Sequence, residues 1–193
     1  MVMVESTMLP LGTPAPDFAL TDVVSGETIT LATFAGAPAL LVMFICRHCP
    51  FVKHVQAELA RLGRDYQPRG LAVVAISANS LQTHPQDGPD HLKAQAEELE
   101  FTFPYCFDPT QVTAKEYTAA CTPDFFLFDQ EKTLVYRGQL DDSRPSNGMP
   151  VTGRDLRAAI DAVLAGLPVA GEQRPAVGCN IKWTPGNEPA YFG

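Results

Sequence analysis

The fold is decided by the stretch ALLVMFICRHCPFV at residues 39–52. Its first part, Ala39 to Ile45, is apolar without interruption and contains several β-forming residues, which predicts a strand covered on both faces. From Phe51 to Leu62 the apolar positions follow the three-and-four spacing of a helix, and Leu71 to Ser77 is a second apolar, β-branched run. The order strand, helix, strand predicts a βαβ unit with a parallel strand pair.

The sequence on both sides of this unit predicts further elements of the same α/β domain. Residues 17–21 and 27–31 flank a turn at Ser25-Gly26, which predicts an N-terminal hairpin. The patterns downstream predict a helix over 91–99, a strand over 104–107, a helix over 110–119, strands over 124–128 and 133–139, and a helix over 152–166 that starts in a capping box at Thr152. We therefore expect an N-terminal arm over 1–13, a domain over 14–166 and a C-terminal extension over 167–193 packed on that domain.

The composition is typical of a globular protein with one domain. The chain has 193 residues, of which 46% are hydrophobic and 19% are charged. Its net charge of -8 opposes binding to nucleic acid, whose phosphates require clustered Lys and Arg. The first residues show no signal-peptide pattern, and the longest apolar run is too short to span a bilayer. We expect a cytoplasmic protein that binds neither nucleic acid nor a membrane.

Two cysteines lie where the first buried strand gives way to the helix. Cys46 and Cys49 are separated by Arg47 and His48, a spacing at which two sulfurs can form a small disulfide ring. The N-terminus of a helix and cationic neighbours both favour a thiolate, and they lower its pKa from the free value of about 8.5. These residues predict a redox-active pair that is more oxidising than one with an uncharged spacer.

A structural zinc site and a buried structural pair are the alternatives at this position. Zinc needs four ligands, usually from a second closely spaced pair, and the other three cysteines are scattered singly. We therefore expect no metal and no other cofactor. Cys106 lies in an apolar run and is expected in the core, whereas Cys121 and Cys179 are candidates for additional redox thiols. His84 and His91 are expected on the surface.

A second candidate feature is Cys121-Thr122-Pro123-Asp124, directly before the predicted strand over 124–128. An ordinary proline at a strand entrance is the simpler interpretation, because X-Pro bonds in folded proteins are cis only about 5% of the time. The residues alone leave the role of this segment open.

With Cys-x-x-Cys after a strand and Thr-Pro before a later hairpin, the chain resembles the thioredoxin superfamily over roughly residues 14–165. More narrowly, it resembles the peroxiredoxin-like proteins (redoxin or AhpC-TSA-like) that carry a Cys-x-x-Cys motif. Residues 46–52, 122–128, 136–142 and 178–183 carry this narrower resemblance. It implies a thioredoxin-like fold, a central mixed sheet flanked by helices. It also implies that Pro123 is cis and faces the cysteine pair, where the Thr122 backbone can bind a substrate chain as an added strand.

Two departures from the family patterns affect the expected chemistry. Many thioredoxins carry a buried carboxylate six residues before the first cysteine, and this chain has Leu40 there, so another group must accept the proton. Peroxiredoxins carry Thr-x-x-Cys-Pro, and this chain has Cys46 at the threonine position before Cys49-Pro50. The threonine that helps to hold peroxide in that family is therefore absent from its usual position.

Three functions are compatible with these residues. The first is a thiol-disulfide oxidoreductase acting on disulfides of proteins or small thiols, with Cys46 as the exposed nucleophile, Cys49 resolving, and an electron donor still to be identified. The second is a thiol peroxidase, in which Cys49 attacks peroxide and Cys46 condenses with the resulting sulfenic acid. The third is a thioredoxin-fold binding module without turnover. Arg47, His48, Thr122 and Pro123 are the expected supporting residues.

Overall fold

The computed structural model describes residues 3–169 and 171–192. Within them the strands are β1 (Met3–Glu5), β2 (Ala19–Asp22), β3 (Thr28–Thr30), β4 (Ala39–Phe44), β5 (Leu71–Ser77), β6 (Tyr105–Phe107), β7 (Cys121–Thr122), β8 (Asp124–Phe128), β9 (Leu134–Arg137) and β10 (Val177–Asn180). The α-helices are α1 (Pro50–Tyr66), α2 (Pro89–Glu98), α3 (Val112–Glu116) and α4 (Arg154–Leu164).

A seven-stranded mixed sheet forms the centre of the molecule. Its strand order is β3-β2-β6-β5-β4-β8-β9. Strand β5 lies parallel to β4 and β6, with Ala39 of β4 opposite Leu71 of β5, and the remaining pairs are antiparallel. The predicted βαβ unit and N-terminal hairpin are confirmed, and the architecture is the expected α/β, thioredoxin-like fold with a central mixed sheet.

Strand β4 is buried on both faces, which explains its uninterrupted apolar sequence. Leu41 and Met43 point into a core formed with helices α1, α2 and α4. Leu40 and Val42 point into a second core on the other face, which also contains Tyr117. A strand between two cores can hold its C-terminal end rigidly, so the residues that follow β4 start from a fixed position.

A second, smaller sheet, which we call the terminal sheet, joins strands from the two ends of the chain to the short strand β7. Its order is β1, β10 and β7, and both pairs are antiparallel. In β10, Cys179 is paired with Met3 on one side and with Thr122 on the other. Ile181 and Trp183, just after β10, are buried in the second core. Part of the predicted extension therefore supplies a strand and core side chains, while the domain limits at 13/14 and 166/167 stay a prediction.

Two local predictions need correction. Helix α4 begins without the expected capping box: Gly153 is the N-cap, at φ 66°, and has no side-chain cap. The N–H groups of Thr152 and Gly153 instead donate to the Asp141 carboxylate, each at 2.6 Å. Helix α3 is shorter than predicted because Thr118 adopts a left-handed conformation, at φ 50°, which ends the helix.

Among the described residues, no helix combines the length and the apolar character that crossing a bilayer requires.

Candidate active site

The cysteine pair lies at the junction of β4 and α1. Cys46 follows Ile45 at the end of the central strand, and Cys49 is the N-cap of α1 with Pro50 as the first helical residue. Proline suits this position because the first helical N–H has no partner within the helix. The sequence prediction of a strand-to-helix junction is confirmed, but both cysteines are completely buried, so the expectation of an exposed Cys46 is wrong.

Cys46 is buried beside Thr122 and His48. Its Sγ is 3.5 Å from Thr122 Oγ1, whose hydrogen bond lowers the pKa of Cys46, and 3.7 Å from Nδ1 of His48, but the opposing effects are larger. Burial raises the pKa of Cys46 far above the usual thiol value, and the negative charges on Cys49 and Asp87 raise it further. Cys46 is therefore the protonated member of the pair.

Cys49 has the opposite character. Hydrogen bonds from the thiols of Cys179 and Cys46 lower the pKa of Cys49 and outweigh the effect of burial, which acts in the other direction. In its thiol form Cys49 donates to the carbonyl oxygen of Thr122 at 3.1 Å. In its thiolate form it accepts from the two neighbouring thiols, and its position at the N-terminus of α1 also favours the charge. Of the two sulfurs, Cys49 is therefore the one whose surroundings favour the thiolate.

The two residues between the cysteines, Arg47 and His48, have different surroundings in the structure. The Arg47 guanidinium donates to the His91 carbonyl oxygen at 2.6 Å and lies 3.4 Å from Glu98, so it binds α2. Nδ1 of His48 donates to Asp87 at 2.5 Å. The structure therefore does not bring Arg47 to the sulfurs, whereas His48 lies beside Cys46, and the expectation that these residues stabilise the thiolate stays a prediction.

Asp87 is the site residue that sequence reasoning missed. Its carboxylate accepts the N–H groups of both Arg47 and His48 at 3.0 Å, and also binds the side chains of His48 and Asn79. Burial alone would raise the pKa of Asp87, but the hydrogen bonds from His48 and Asn79 outweigh it and the pKa is lowered. Asp87 and His48 form a hydrogen-bonded pair beside Cys46, whereas Leu40, where many thioredoxins carry a carboxylate, offers no acid-base group.

The two histidines predicted on the surface differ in their surroundings. His84 is half-buried and its ring lies 4.7 Å from the ring of His48, and burial together with the nearby His48 lowers its pKa. His91 is exposed, and only its backbone carbonyl oxygen contacts the site, through Arg47. Both histidines reach the surface as predicted, His91 fully and His84 in part, but the sequence did not indicate that His84 contacts His48.

Cys46, His48 and Asp87 form the one group within the described residues that could hold a metal ion. Their ligand atoms lie within 4.8 Å of one another. A structural zinc site requires four ligands, and here His48 and Asp87 are already bonded directly to each other. A metal would have to replace that bond, so the donor set suits an acid-base pair better. The expectation of no metal and no cofactor stays a prediction.

Thr122 connects both sulfurs to the segment before β8. The Thr122–Pro123 peptide bond is cis, as the family resemblance implies. The hydroxyl of Thr122 contacts Cys46 and its carbonyl oxygen contacts Cys49. Thr122 and the two cysteines therefore form one cluster although 73 residues separate Thr122 from Cys49.

The remaining cysteines occupy three different environments. Cys106 lies in the second core, and burial raises its pKa to about 12, in agreement with its predicted core role. Cys121 is buried, its thiol is directed at the Pro123 carbonyl oxygen at 3.5 Å, and burial raises its pKa. Cys179 lies next to Cys49. All five thiols are free in this structure.

One family model matches the sequence of this chain. The sequence profile of the AhpC/TSA family matches residues 11–137, about two thirds of the chain. The chain belongs to the AhpC/TSA family. No curated protein sequence matches it.

Solved structures similar to this AhpC/TSA protein fall into two groups. An uncharacterised conserved protein from Geobacillus kaustophilus is 56% identical, with a TM-score of 0.94, 96% of this chain covered and 98% of that one. A hypothetical protein from Sinorhizobium meliloti is 52% identical, with a TM-score of 0.91 and coverage of 93% and 98%. A thioredoxin-family thiol:disulfide interchange protein from Chlorobium tepidum is 18% identical, with a TM-score of 0.61 and coverage of 79% and 97%. The last likeness supports the thioredoxin-like fold alone, and the family assignment places the chain among thioredoxin-like redox proteins.

Proposed function

We propose that this protein is a thiol-disulfide oxidoreductase that cycles Cys46 and Cys49 between dithiol and disulfide. One observation carries the proposal: the Cys46 and Cys49 sulfurs, one favouring the thiol and the other the thiolate, lie at the start of α1 and both contact Thr122. Such a pair holds one nucleophile and one protonated partner in contact, which is the arrangement that disulfide formation and exchange require.

The charge distribution supports the following order of steps within the pair. Cys49 attacks a substrate disulfide, forms a mixed disulfide and releases one substrate thiolate. Cys46 then loses its proton, attacks the Cys49 sulfur and releases the second substrate thiolate. The pair ends as a disulfide, the substrate as two thiols, and an electron donor must restore the dithiol. This order reverses the one expected from the sequence for a thiol-disulfide oxidoreductase.

The burial of both sulfurs favours small substrates. Neither Cys46 nor Cys49 has any exposed surface, and the main chain of Thr122 is already paired with β10. A protein disulfide would have to displace β10, whereas a small-thiol disulfide needs only a side-chain opening. We therefore propose a small-thiol disulfide as the substrate class, and the cytoplasmic location remains part of the proposal.

Serine variants test the couple directly. We expect Cys49→Ser and Cys46→Ser each to lower the turnover of a small model disulfide by at least about a hundredfold, because each removes one sulfur of the couple. Cys106→Ser, a buried cysteine of the second core, is the matched control and should keep the wild-type rate.

The same proteins should be equilibrated in glutathione buffers, alkylated and analysed by mass spectrometry. The wild-type pair should interconvert within the cellular range of roughly -180 to -320 mV. A pair that stays fully reduced or fully oxidised throughout that range would contradict the proposal and favour a binding module.

Thiol peroxidase activity is a second candidate, favoured by the placement of the charge on Cys49 rather than Cys46. In that reaction the Cys49 thiolate attacks a peroxide oxygen, the O–O bond breaks, and a sulfenic acid forms while water or an alcohol leaves. The Cys46 thiol then attacks the Cys49 sulfur, the disulfide forms, and a second water leaves.

Rapid mixing with hydrogen peroxide distinguishes this second function. If it operates, Cys49→Ser should abolish peroxide consumption, whereas Cys46→Ser should retain the first step. The rate should change little between pH 6 and pH 8, since a thiol with a lowered pKa is already ionised there. A slow rate that rises with pH in parallel with a free thiol would exclude a peroxidase role.

A further inference from the structure

Strand β10 occupies the edge of β7 directly beside the cysteine pair. Cys179 is paired with Thr122, and Asn180 is paired with Cys121. An extended peptide that bound the Thr122 main chain would need this same edge. The protein therefore fills with its own chain the position that an added substrate strand would take.

Gly178 allows β10 to lie very close to the main chain of Thr122. A Cβ atom at this position would collide with the carbonyl oxygen of Thr122 and would lie 2.6 Å from its carbonyl carbon. The backbone of Gly178 is not in the left-handed region, so glycine is needed here for the short distance and not for its conformation. Because side chains alternate along a strand, this register sets the direction of the next residue, Cys179.

The Cys179 sulfur lies at the first turn of α1. Cys179 is 1% exposed and lies in the same core as Cys49. It is paired with Thr122, whose carbonyl oxygen is 3.1 Å from the Cys49 sulfur, so β10 brings the two cysteines to the same residue. Cys49 thus has two thiol neighbours: Cys46 from the end of β4 and Cys179 from β10. The same nucleophilic sulfur has two partners within reach.

We propose that Cys179 is a third redox-active cysteine, which β10 delivers as an internal strand and which forms a disulfide with Cys49. The inference rests on the proposed function, because its starting state is the Cys46–Cys49 disulfide. Cys179 loses its proton and attacks the Cys49 sulfur. The Cys49–Cys179 bond forms, the Cys46–Cys49 bond breaks, and Cys46 leaves as a thiolate that takes up a proton. One disulfide and one thiol are present before and after, so no further oxidant is consumed.

The exchange has a structural consequence. It joins β10 covalently to the start of α1 and returns Cys46 to the thiol state. In that form the terminal sheet is locked over Thr122, and an incoming substrate strand is excluded. In the fully reduced form only hydrogen bonds and packing hold β10 in place.

Disulfide mapping of the full-length protein tests the inference. Trypsin cleaves after Arg47, Lys53, Lys115 and Lys182, which places Cys46, Cys49, Cys121 and Cys179 on four different peptides. After oxidation with a small disulfide, alkylation and digestion, we expect the wild type to give both the Cys46–Cys49 and the Cys49–Cys179 linked peptides. Cys46→Ser should give the Cys49–Cys179 link alone, and Cys179→Ser the Cys46–Cys49 link alone.

Two further variants distinguish the specific Cys49–Cys179 contact from general oxidation of the thiols. Cys121→Ser, another buried cysteine of the terminal sheet, should leave both links unchanged. Gly178→Ala keeps every cysteine but pushes β10 away from Thr122, and should cause loss of the Cys49–Cys179 link while the Cys46–Cys49 link persists.

The outcomes distinguish the inference from the proposed function. Formation of Cys46–Cys49 without any Cys49–Cys179 link, in the wild type and in Cys46→Ser, would overturn the inference and leave the proposed function intact. A wild type that forms only the Cys49–Cys179 disulfide, whatever the buffer potential, would contradict the proposed function. It would still support the contact between Cys49 and Cys179. A Cys179 linked mainly to Cys121 would also overturn the inference.

Discussion

Replacing Asp124 by asparagine is expected to stabilise the folded protein at pH 8 by roughly 2–4 kcal/mol and to leave its stability at pH 4 almost unchanged. Asp124 is completely buried, and burial raises its pKa to about 7 against the opposing effect of backbone hydrogen bonds. One carboxylate oxygen accepts the Ala120 N–H at 3.2 Å, and the other has no partner. A buried charge with so few partners is costly, and asparagine removes the charge while keeping the acceptor.

The sign follows from proton binding. Between the unfolded value of 3.8 and the folded value of about 7, the folded state of the wild type holds a proton on Asp124 that the unfolded state has released. The free energy of unfolding of the wild type therefore falls as the pH rises through this window, and the loss is complete above about pH 7. Each pKa unit corresponds to about 1.36 kcal/mol, so the three-unit shift sets an upper limit of about 4 kcal/mol.

Urea unfolding under reducing conditions at several pH values measures this effect. The difference between the two proteins should be close to zero at pH 4 and should grow up to about pH 7, because the titrations of all other groups cancel. Asp90→Asn, at an exposed position, is the matched control and should give a small difference without this pH dependence. A difference that is constant from pH 4 to pH 8 would show that Asp124 does not titrate in this range.

The central strands and the first helix were predictable because each of them shows a characteristic pattern within its own stretch of sequence. Strands β4 and β5 are buried on both faces, so their sequences are continuously apolar, and α1 packs one face on the sheet, so its apolar residues recur every three or four positions. The junction between β4 and α1 follows from these two patterns, and so does the position of the cysteine pair.

The groups that control the sulfurs were not predictable because they arrive from distant segments. Asp87 lies in a stretch rich in Pro, Gly and polar residues, which has the composition of a solvent-exposed loop, yet it is completely buried under His48. Strand β10 contains a glycine and too few residues to form a recognisable pattern, and it is positioned by main-chain pairing with β1 and β7. Nearness along the chain was also misleading for Arg47, whose guanidinium extends to α2.

The second large effect is expected at Asp87, which links the loop before α2 to the cysteine pair. Asp87→Ala should lower the free energy of unfolding by about 3–5 kcal/mol, because it leaves His48 and two backbone N–H groups buried without their acceptor. For a chain of this length, that corresponds to a fall in melting temperature on the order of 10 °C. Asp87→Asn keeps one acceptor for the backbone N–H groups and should cost less, about 1–3 kcal/mol.

Both variants should also change the chemistry of Cys46. The carboxylate charge of Asp87 is one of the causes that raise the pKa of Cys46, so its removal should shift the pH profile of Cys46 alkylation to lower pH. Cys106 provides an internal reference in the same protein, because it lies in the other core and its profile should not move.

The contribution of Asp87 to stability should also depend on pH, which gives a further test in acid. The lowered pKa of Asp87 means that its contribution to stability is present above the unfolded value of 3.8 and is lost as the pH falls through the lower folded value. The destabilisation caused by Asp87→Asn should therefore shrink in acid, which is the opposite of the trend expected for Asp124→Asn, whose benefit grows with pH. If Asp87→Asn lost the same stability at every pH and left the Cys46 profile in place, Asp87 would act only by filling space, and the proton on Cys46 would have to be controlled by another group.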